Sequence, residues 1–262
     1  MPELAGDDRP IRVSERFRLD GKRVLITGAG RGLGAACAEA LAEAGANVVL
    51  MSRSGAPLDA MATKIAAAGG KAETVVQDVT DIDATISAIE ALGPLDGLVN
   101  NAGSNQPEPF TEVAVDTYDR LFGVNVRACF FVAQTVAKTM VEGGIKCSIV
   151  NMSSQMGHVG APNRTVYCAS KHAIEGLTKA MAWDLGPKGI RVNTVCPTFV
   201  ETPLTRPFFE NPAFKADTLS RIALGKLGQL EDVAAAVLYL IAPASAATSG
   251  SAVMVDGGWT AR

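Results

Sequence analysis

A run of glycines between a buried strand and a helix is the feature that most restricts the fold of this chain. The apolar residues 22–27 predict a short buried strand, and they lead directly into residues 28–34, which read GAGRGLG. The alanine-rich residues 35–44 then predict a helix, which Gly45 ends. In such a unit the glycines permit a tight turn and close approach to a phosphate group at the helix N-terminus. A strand-to-helix turn that binds nothing would use the same residues, so the loop alone does not establish a phosphate-binding site.

The spacing of the glycines fits two phosphate-binding registers. Gly30-x-Gly32-x-x-Ala35 follows the general dinucleotide-binding pattern. Gly28-x-x-x-Gly32-x-Gly34 follows a variant with a wider first spacing. The sequence alone does not distinguish between the two registers.

Alternating strands and helices along the rest of the chain predict an α/β fold. Six further apolar runs predict strands, at residues 47–51, 74–77, 98–100, 147–152, 190–195 and 252–255. Helical patterns lie between them, including residues 113–141, 167–185 and 231–241. Such alternation forms a doubly wound, Rossmann-like parallel sheet, here of about seven strands, with helices on both faces. We expect one dinucleotide-binding domain over residues 19–262, preceded by an N-terminal arm at residues 1–18.

Residues 201–224 interrupt this alternation just after the sixth predicted strand. The segment is rich in proline and phenylalanine and reads as irregular. Its position after a strand end suits a flap that closes over a substrate, although a packed surface excursion would look the same.

Composition argues against several classes of partner. The 262 residues carry a formal net charge of −3 without a basic stretch, which argues against nucleic acid. No apolar run of about 18 residues and no signal-peptide pattern occurs, so we expect a soluble cytoplasmic protein without membrane contact. The five cysteines are scattered without a Cys-x-x-Cys motif, which is typical of unpaired thiols. No residue is assigned as a metal ligand.

The residues at the end of the second predicted strand indicate whether a bound dinucleotide would carry a 2′-phosphate. An acidic residue is expected there to bind the ribose hydroxyls. Ser52 and Arg53 occupy that place, and a hydroxyl with a guanidinium suits a 2′-phosphate, which a carboxylate would repel. Arg31 in the glycine loop is a second candidate. Each arginine alone could equally be a solvated surface charge.

Polar residues also follow the third and fourth predicted strands. Asp78 ends the third strand, and Asn101-Ala102-Gly103 follows the fourth. Ligands bind at the carboxyl ends of parallel strands, so these residues are expected near an adenosine. Turn chemistry alone would also explain the Asn-Asn-Ala-Gly sequence.

Tyr167 and Lys171 lie four residues apart and share one face of a predicted helix. A free tyrosine, with a pKa of about 10, is a poor base at neutral pH, but a nearby ammonium group favours the phenolate. Such a pair can donate and accept a proton. Ser154, in the preceding loop, could hydrogen-bond the oxygen of a carbonyl or an alcohol. Taken alone, the pair is more often ordinary surface packing.

Together these motifs resemble the classical short-chain dehydrogenase/reductase family, over residues 20–260. The resemblance rests on Thr27-Gly28-x-x-x-Gly32-x-Gly34, Asn100-Asn101-Ala102-Gly103, Asn125, Ser154, Tyr167-x-x-x-Lys171 and Val255-Asp256-Gly257-Gly258, in this order and spacing. It implies an NAD(P)-dependent oxidoreductase that transfers a hydride between a nicotinamide cofactor and an alcohol/ketone pair. The rival expectation is a protein that binds the dinucleotide and catalyses nothing.

The resemblance implies a role for each of four catalytic residues. Tyr167 would be the general acid/base, and Ser154, selected over Ser153 by the family spacing, would steady the substrate oxygen. Lys171 would assist Tyr167 and hold the nicotinamide ribose. Asn125 would hold a water that links Lys171 to solvent.

The resemblance also implies where the cofactor lies, with NADP(H) preferred over NAD(H). The implied cofactor residues are Gly28, Gly30, Arg31, Gly32, Leu33, Gly34, Ser52, Arg53, Asp78, Val79, Asn101, Ala102, Gly103, Tyr167, Lys171, Pro197, Val200 and Thr202. Pro197-Thr198 departs from the family's usual Pro-Gly, which puts the local backbone in doubt. The family's long helices, near residues 113–141 and 166–185, commonly pack between subunits, so a homotetramer or a dimer is implied.

The sequence says least about the substrate. Candidate pocket residues are Asn105, Gln155, His158, Thr198, Phe208 and Phe209. The polar members favour a polyol, a sugar or a small hydroxy-carbonyl, whereas the phenylalanines would also suit a 3-oxoacyl thioester or a steroid-like ketone. Because an aromatic flap can seal a polar pocket from water, we favour the polar substrate.

Overall fold

A parallel sheet of seven strands organises the computed structural model of the protein, which describes residues 12–202 and 205–261, with the backbone alone at Pro207 and Phe208. The strands are β1 (Arg23–Thr27), β2 (Asn47–Ser52), β3 (Lys71–Val76), β4 (Gly97–Asn100), β5 (Ser148–Met152), β6 (Arg191–Pro197) and β7 (Ala252–Val255). Their order across the sheet is β3-β2-β1-β4-β5-β6-β7, and every neighbouring pair is parallel. The predicted doubly wound α/β fold is confirmed.

The strand order reverses at β1, and this reversal positions the site. β1 pairs with β2 on one side, where Thr27 lies opposite Met51. On its other side it pairs with β4, where Ile26 lies opposite Val99. The connections leave β1 and β4 in opposite directions, so a crevice opens beyond their carboxyl ends, where ligands of such sheets bind.

Helices cover both faces of the sheet. Those that the structure describes are α1 (Gly32–Glu43), α2 (Gly55–Ala67), α3 (Ile82–Leu92), α4 (Val115–Phe122), α5 (Cys129–Glu142), α6 (Thr165–Leu185), α7 (Arg206–Phe209), α8 (Pro212–Ser220) and α9 (Leu230–Ile241). A π-helical turn, Gly123–Ala128, joins α4 to α5. Among the described helices none is both long and apolar enough to cross a membrane.

Two apolar layers, one on each face, hold the helices against the sheet. Alternate residues of β1 divide between them: Val24 and Ile26 pack with α1 and α9, whereas Leu25 packs with α3 and α5. Each is fully buried, and burying a side chain of this size contributes about 1.5–3 kcal/mol. The alternation follows from the two-residue period of a strand.

Two sequence predictions need correction. The helix predicted over 113–141 is interrupted by the π turn, which contains Asn125. The segment 201–224 is not irregular throughout, because α7 and α8 lie within it. The start of α8 carries a capping signal, because Asn211 Oδ1 accepts from the N–H groups of Ala213 and Phe214, and Pro212 follows it.

The N-terminal arm is partly described. Residues 1–11 of this prediction lie outside the described residues, and the 3₁₀ turn Ser14–Phe17 follows them. Arg16 donates to the carbonyl of Pro243 at 2.8 Å, and the Phe17 ring lies 6.3 Å from that of Tyr239. The end of the arm therefore rests on the last turn of α9 and the segment just after it. The division into an arm and one domain remains a prediction.

Candidate active site

The loop between β1 and α1 is built so that only glycine fits at its key positions. Gly28 and Gly32 have positive φ angles, of 67° and 56°. A Cβ on Gly34 would lie 2.3 Å from the Gly28 carbonyl oxygen and 2.6 Å from Asn101 Nδ2. The backbone therefore turns tightly at the N-terminus of α1, leaving the cradle that suits a pyrophosphate.

Asn101 holds this loop against the end of β4. Its Nδ2 donates to the carbonyls of Thr27, at 2.9 Å, and Gly28, at 3.3 Å. In return, Thr27 Oγ1 accepts from the N–H groups of Asn101 and Ala102, each at 3.0 Å. The amide nitrogen predicted to lie near a ribose is thus committed to positioning the loop.

The ends of β2 and β3 place a hydroxyl, a guanidinium and a carboxylate at one end of the crevice. Ser52 ends β2, and Arg53 Nη1 lies 3.9 Å from Asp78 Oδ2 in an exposed pair. Asp78 Oδ1 also accepts from Thr80, at 2.9 Å from its N–H and 2.7 Å from its hydroxyl. Arg31 is exposed at the entrance to α1. This end therefore presents two cations to a ligand.

The ends of β5 and α6 bring the predicted catalytic residues together. Lys171 is buried, and its Nζ donates to the carbonyl of Met152 at 2.8 Å. The same Nζ lies 5.6 Å from the centre of the Tyr167 ring. Ser154 Oγ caps the 3₁₀ turn Gln155–Gly157 by accepting from the Met156 N–H at 3.1 Å, and lies 3.5 Å from the Pro197 carbonyl oxygen. The ammonium group of Lys171 and the hydroxyl of Ser154 are thus anchored at the ends of β5 and β6.

Asn125, in the π turn, is fixed by hydrogen bonds to residues outside that turn and is not exposed to the crevice. Its Oδ1 accepts from the Ser104 N–H at 2.8 Å, and its Nδ2 donates to the Ser104 carbonyl at 2.9 Å and to Ser170 Oγ at 3.0 Å. The side chain is buried. It therefore joins the loop after β4 to the start of α6, and the water-holding role predicted for Asn125 stays a prediction.

One continuous cleft of about 940 Å³ runs between the two ends. Ser154, Tyr167 and Lys171 line it, and so do all the predicted cofactor residues: Gly28, Gly30, Arg31, Gly32, Leu33, Gly34, Ser52, Arg53, Asp78, Val79, Asn101, Ala102, Gly103, Pro197, Val200 and Thr202. Residues at the ends of six strands, β1 to β6, thus form a single surface.

The structure brings only part of the predicted substrate pocket to this cleft. Asn105, Gln155 and Thr198 line it. His158 lies outside the lining, because its ring is directed towards Glu175, with Nε2 3.5 Å from Oε1. Phe209 also lies outside and packs against Phe199, with ring centres 5.9 Å apart. The side chain of Phe208 lies outside the described residues.

The cleft is also lined by residues outside the predicted set, among them Phe199, Thr205 and Arg120. Phe199 follows Thr198 directly, so its place beside a strand end was a usable signal. Thr205 donates its hydroxyl to the Val200 carbonyl and lies in the segment predicted as a flap. Arg120, on α4, reaches the cleft and donates to Gln106 Oε1. No sequence motif marks Arg120, since only the packing of α4 brings it there.

Comparisons with known proteins agree with this geometry. A family model described as enoyl-(acyl carrier protein) reductase matches residues 28–260. L-xylulose reductase from Bos taurus is 43% identical, over 94% of this chain and 99% of the relative. D-erythrulose reductase from Gallus gallus is 42% identical, over 91% and 96%. A gluconate 5-dehydrogenase from Burkholderia cenocepacia J2315, solved in complex with NADP and tartrate, has a TM-score of 0.92 and 35% identity, over 96% of this chain and 100% of that chain.

Proposed function

Because the chain belongs to the classical short-chain dehydrogenase/reductase family, we propose that it is an NADP(H)-preferring oxidoreductase for a polyol, a sugar or a small hydroxy-carbonyl. It is an oxidoreductase of the alcohol/ketone type. The observation that carries the proposal is the continuous cleft, with cations at one end and Ser154, Tyr167 and Lys171 at the other.

The residues of the glycine loop fit a dinucleotide. A Cβ on Gly28 would lie 2.9 Å from Asn101 Nδ2, and one on Gly30 would lie 3.0 Å from Pro57 Cβ. The space kept free of side chains lies at the N-terminus of α1, which favours an anion. The cofactor would supply or accept the hydride, and Gly28, Gly32 and Gly34 would admit its pyrophosphate.

The preference for NADP(H) is supported by the charges at the end of the cleft where the adenosine ribose would lie. Ser52, Arg53 and Arg31 all line that end of the cleft. A guanidinium binds a phosphate through charge-assisted hydrogen bonds, and the weak 3.9 Å pair with Asp78 leaves Arg53 able to turn towards one. The structural relative from Burkholderia cenocepacia was solved with NADP.

Tyr167, Lys171 and Ser154 would handle the proton and the substrate oxygen. The hydroxyl of Tyr167 would give its proton to a carbonyl oxygen in reduction and take one from an alcohol in oxidation. The ammonium group of Lys171, anchored on Met152, places a positive charge beside the ring of Tyr167. Ser154 would donate a hydrogen bond to the same substrate oxygen and stabilise its developing charge.

Three buried polar atoms of the cleft favour a substrate that carries hydroxyl groups. Asn105 Oδ1, Gln155 Oε1 and Thr198 Oγ1 have no hydrogen-bond partner among the described residues. A buried polar atom without a partner costs about 1–3 kcal/mol, so a hydroxylated substrate would gain by supplying partners. L-xylulose reductase and D-erythrulose reductase, two of the relatives, are named for sugars.

Residues 201–224 would act as the flap over this substrate. Thr202 and Thr205 line the cleft, and Thr205 caps the turn through the N–H of Thr202 at 2.9 Å. The aromatic rings of Phe209 and Phe214 pack on Phe199 rather than into the cleft. They would therefore seal the pocket, which excludes water while its lining stays polar.

The proposed assembly is a homotetramer of this chain in the cytoplasm. Large apolar side chains are exposed along the helices that would pack between copies, including Tyr118 and Phe130 on α4 and α5 and Trp183, 85% exposed, on α6. Such a surface suits a subunit interface. Light scattering on the purified chain would give the subunit number, and cell fractionation would test the compartment.

A spectrophotometric screen tests the function. NADPH oxidation and NADP⁺ reduction would be followed with sugars, polyols, 3-oxoacyl thioesters and cyclic ketones, with the Tyr167→Phe protein as the blank. We expect turnover with polyols or hydroxy-carbonyls. Strong turnover of acyl thioesters, with none of polyols or small hydroxy-carbonyls, would overturn the substrate class and favour the acyl-thioester alternative. Absence of any cofactor-dependent turnover would favour a non-catalytic dinucleotide-binding protein.

A further inference from the structure

A cluster of three potential metal ligands lies behind the catalytic serine. His158 follows the 3₁₀ turn that Ser154 caps, Glu175 lies one helical turn beyond Lys171 on α6, and Cys196 lies near the end of β6. Cys196 Sγ is 3.5 Å from His158 Nε2 and 3.3 Å from Glu175 Oε1. His158 Nε2 is 3.5 Å from Glu175 Oε1. The proposed catalytic step uses none of these three side chains.

The three distances match the edges of a tetrahedral zinc site. For zinc bonds of about 2.0–2.3 Å to nitrogen, oxygen and sulfur, tetrahedral angles separate the ligand atoms by about 3.3–3.6 Å. In a triangle with sides of 3.5, 3.3 and 3.5 Å, the point equidistant from the corners lies about 2.0 Å from each. An ion at or just above that point would reach all three atoms without a change of backbone.

We propose that Cys196 Sγ, Glu175 Oε1 and His158 Nε2 form a binding site for a zinc-class divalent cation. A mixed set of sulfur, nitrogen and oxygen ligands favours zinc over magnesium or calcium, which prefer oxygen alone. The His158 side chain is 31% exposed, so the ion has a path from solvent and a water can complete the fourth position.

The charges of the cluster support a cation. The carboxylate of Glu175 is buried, and in the described part of the chain His158 is its ion-pair partner. Its two oxygens accept from Thr194 Oγ1, at 3.1 Å, and from the Cys196 thiol. On binding, the S–H bond would break, the sulfur would bind the ion, and the proton would pass to solvent without any change of oxidation state. One thiolate and one carboxylate would then balance the two positive charges.

The site would join three elements that meet at the active site. His158 belongs to the segment that positions Ser154 and Gln155, Glu175 to the helix that carries Tyr167 and Lys171, and Cys196 to the strand that ends at Pro197. A bound ion would hold these elements at one point. We therefore expect a structural metal whose occupancy raises the melting temperature.

Cobalt and zinc titrations of the metal-free, full-length chain test the site. Co²⁺ should bind with one equivalent per chain and give the charge-transfer absorption of a cobalt–thiolate bond. Cys196→Ala should lose that absorption. Cys168→Ala is the matched control, since it removes a thiol that lies next to Tyr167 and outside the cluster, and it should keep the absorption.

His158→Ala provides the second arm, because its partly exposed ring can be removed with little risk to folding. This variant should bind Zn²⁺ more weakly by roughly tenfold or more in equilibrium dialysis. Zn²⁺ should also raise the melting temperature of the wild type and not that of the variant. Wild-type protein that fails to bind either ion, or that binds Zn²⁺ no more tightly than His158→Ala, would overturn the proposal. So would cobalt–thiolate absorption that survives in Cys196→Ala.

Discussion

The ammonium group of Lys171 is anchored beside the ring of Tyr167. Lys171 is held by the Met152 carbonyl at 2.8 Å, which places its charge 5.6 Å from the centre of the tyrosine ring. A fixed charge of this kind costs no reorganisation during the reaction. Removing the tyrosine hydroxyl should therefore affect proton transfer and leave the rest of the cleft intact.

We expect Tyr167→Phe to lower kcat by about 10²–10⁴-fold or more, since general acid/base catalysis contributes that much. NADPH should still bind, and a dissociation constant within about threefold of the wild type, measured by fluorescence titration, would establish this. Activity equal to that of the wild type would contradict the assignment of Tyr167.

Arg53→Ala should weaken NADPH binding by about 1.5–3 kcal/mol and leave NADH binding nearly unchanged, because only NADPH carries the 2′-phosphate. Arg221→Ala, which removes an exposed arginine paired with Asp217, is the matched control and should change neither affinity. Calorimetric titration of both cofactors measures the difference. Equal affinity of the wild type for the two cofactors would refute the preference.

At the scale of elements, the glycine loop and the π turn carry the functional geometry. The loop leaves room for a ligand because Gly34 packs against the Gly28 carbonyl. The π turn directs Asn125 towards Ser104 and Ser170, which ties the loop after β4 to α6. The glycine loop is itself held by Asn101 at the end of β4, so each element joins segments that are distant in sequence.

Gly34→Ala should abolish or strongly weaken cofactor binding, because its Cβ would lie 2.3 Å from the Gly28 carbonyl oxygen and force the loop apart. Gly186→Ala is the control, since its backbone is helical and no atom lies within 4 Å of the added Cβ. The rise in melting temperature that NADPH causes would be measured for both variants. A full NADPH-induced shift in Gly34→Ala would show that the loop is not the pyrophosphate site.

Asn125→Ala should lower the free energy of unfolding by about 1–3 kcal/mol, because it leaves the Ser104 backbone groups and Ser170 without their buried partner. Urea denaturation measures this. Thr63→Ala, at an exposed position on α2, is the comparison and should change stability by less than about 0.5 kcal/mol. A loss in Asn125→Ala no larger than this would mean that the π turn is held by other contacts.

Local patterns could be predicted from the sequence, and contacts between distant segments could not. The glycine loop and the Tyr167–Lys171 pair depend on neighbours within a few residues, so periodicity and spacing located them. The π turn, the reach of Arg120 into the cleft and the turning of His158 away from it depend on how α4 and α6 pack on the sheet. The meeting of Glu175 with Cys196, 21 residues apart, likewise follows from the packing of α6 against β6.

At the scale of the whole molecule, burial controls the chemistry of the thiols. All five cysteines are free, and burial raises the pKa of the Cys37 and Cys147 thiols to about 12. An unfolded thiol titrates near pH 8.5, so above that pH the unfolded chain loses protons that the folded chain keeps. These thiols therefore stabilise the fold below about pH 8.5 and lose that contribution as the pH rises towards 12.

The stability of the wild type should fall between about pH 9 and 11 with a slope of about 1.4 kcal/mol per pH unit for each such thiol. A Cys37→Ala/Cys147→Ala variant should show a shallower slope, whatever its absolute stability. Thermal unfolding across this range measures both slopes. Parallel curves would show that these two thiols do not carry the dependence.

The position of β4 beside β1 has a consequence for the order in which the molecule is made. As the chain emerges during synthesis, β1 can pair with β2, and β2 with β3, at an early stage, but the other edge of β1 stays open until β4 arrives. The glycine loop cannot adopt its final conformation before then either, because Asn101, 74 residues after Thr27 in the sequence, holds the loop in place. A nascent chain should therefore acquire affinity for nucleotide only after β4 has left the ribosome. Until then it exposes an unpaired strand edge, the kind of surface that chaperones shield.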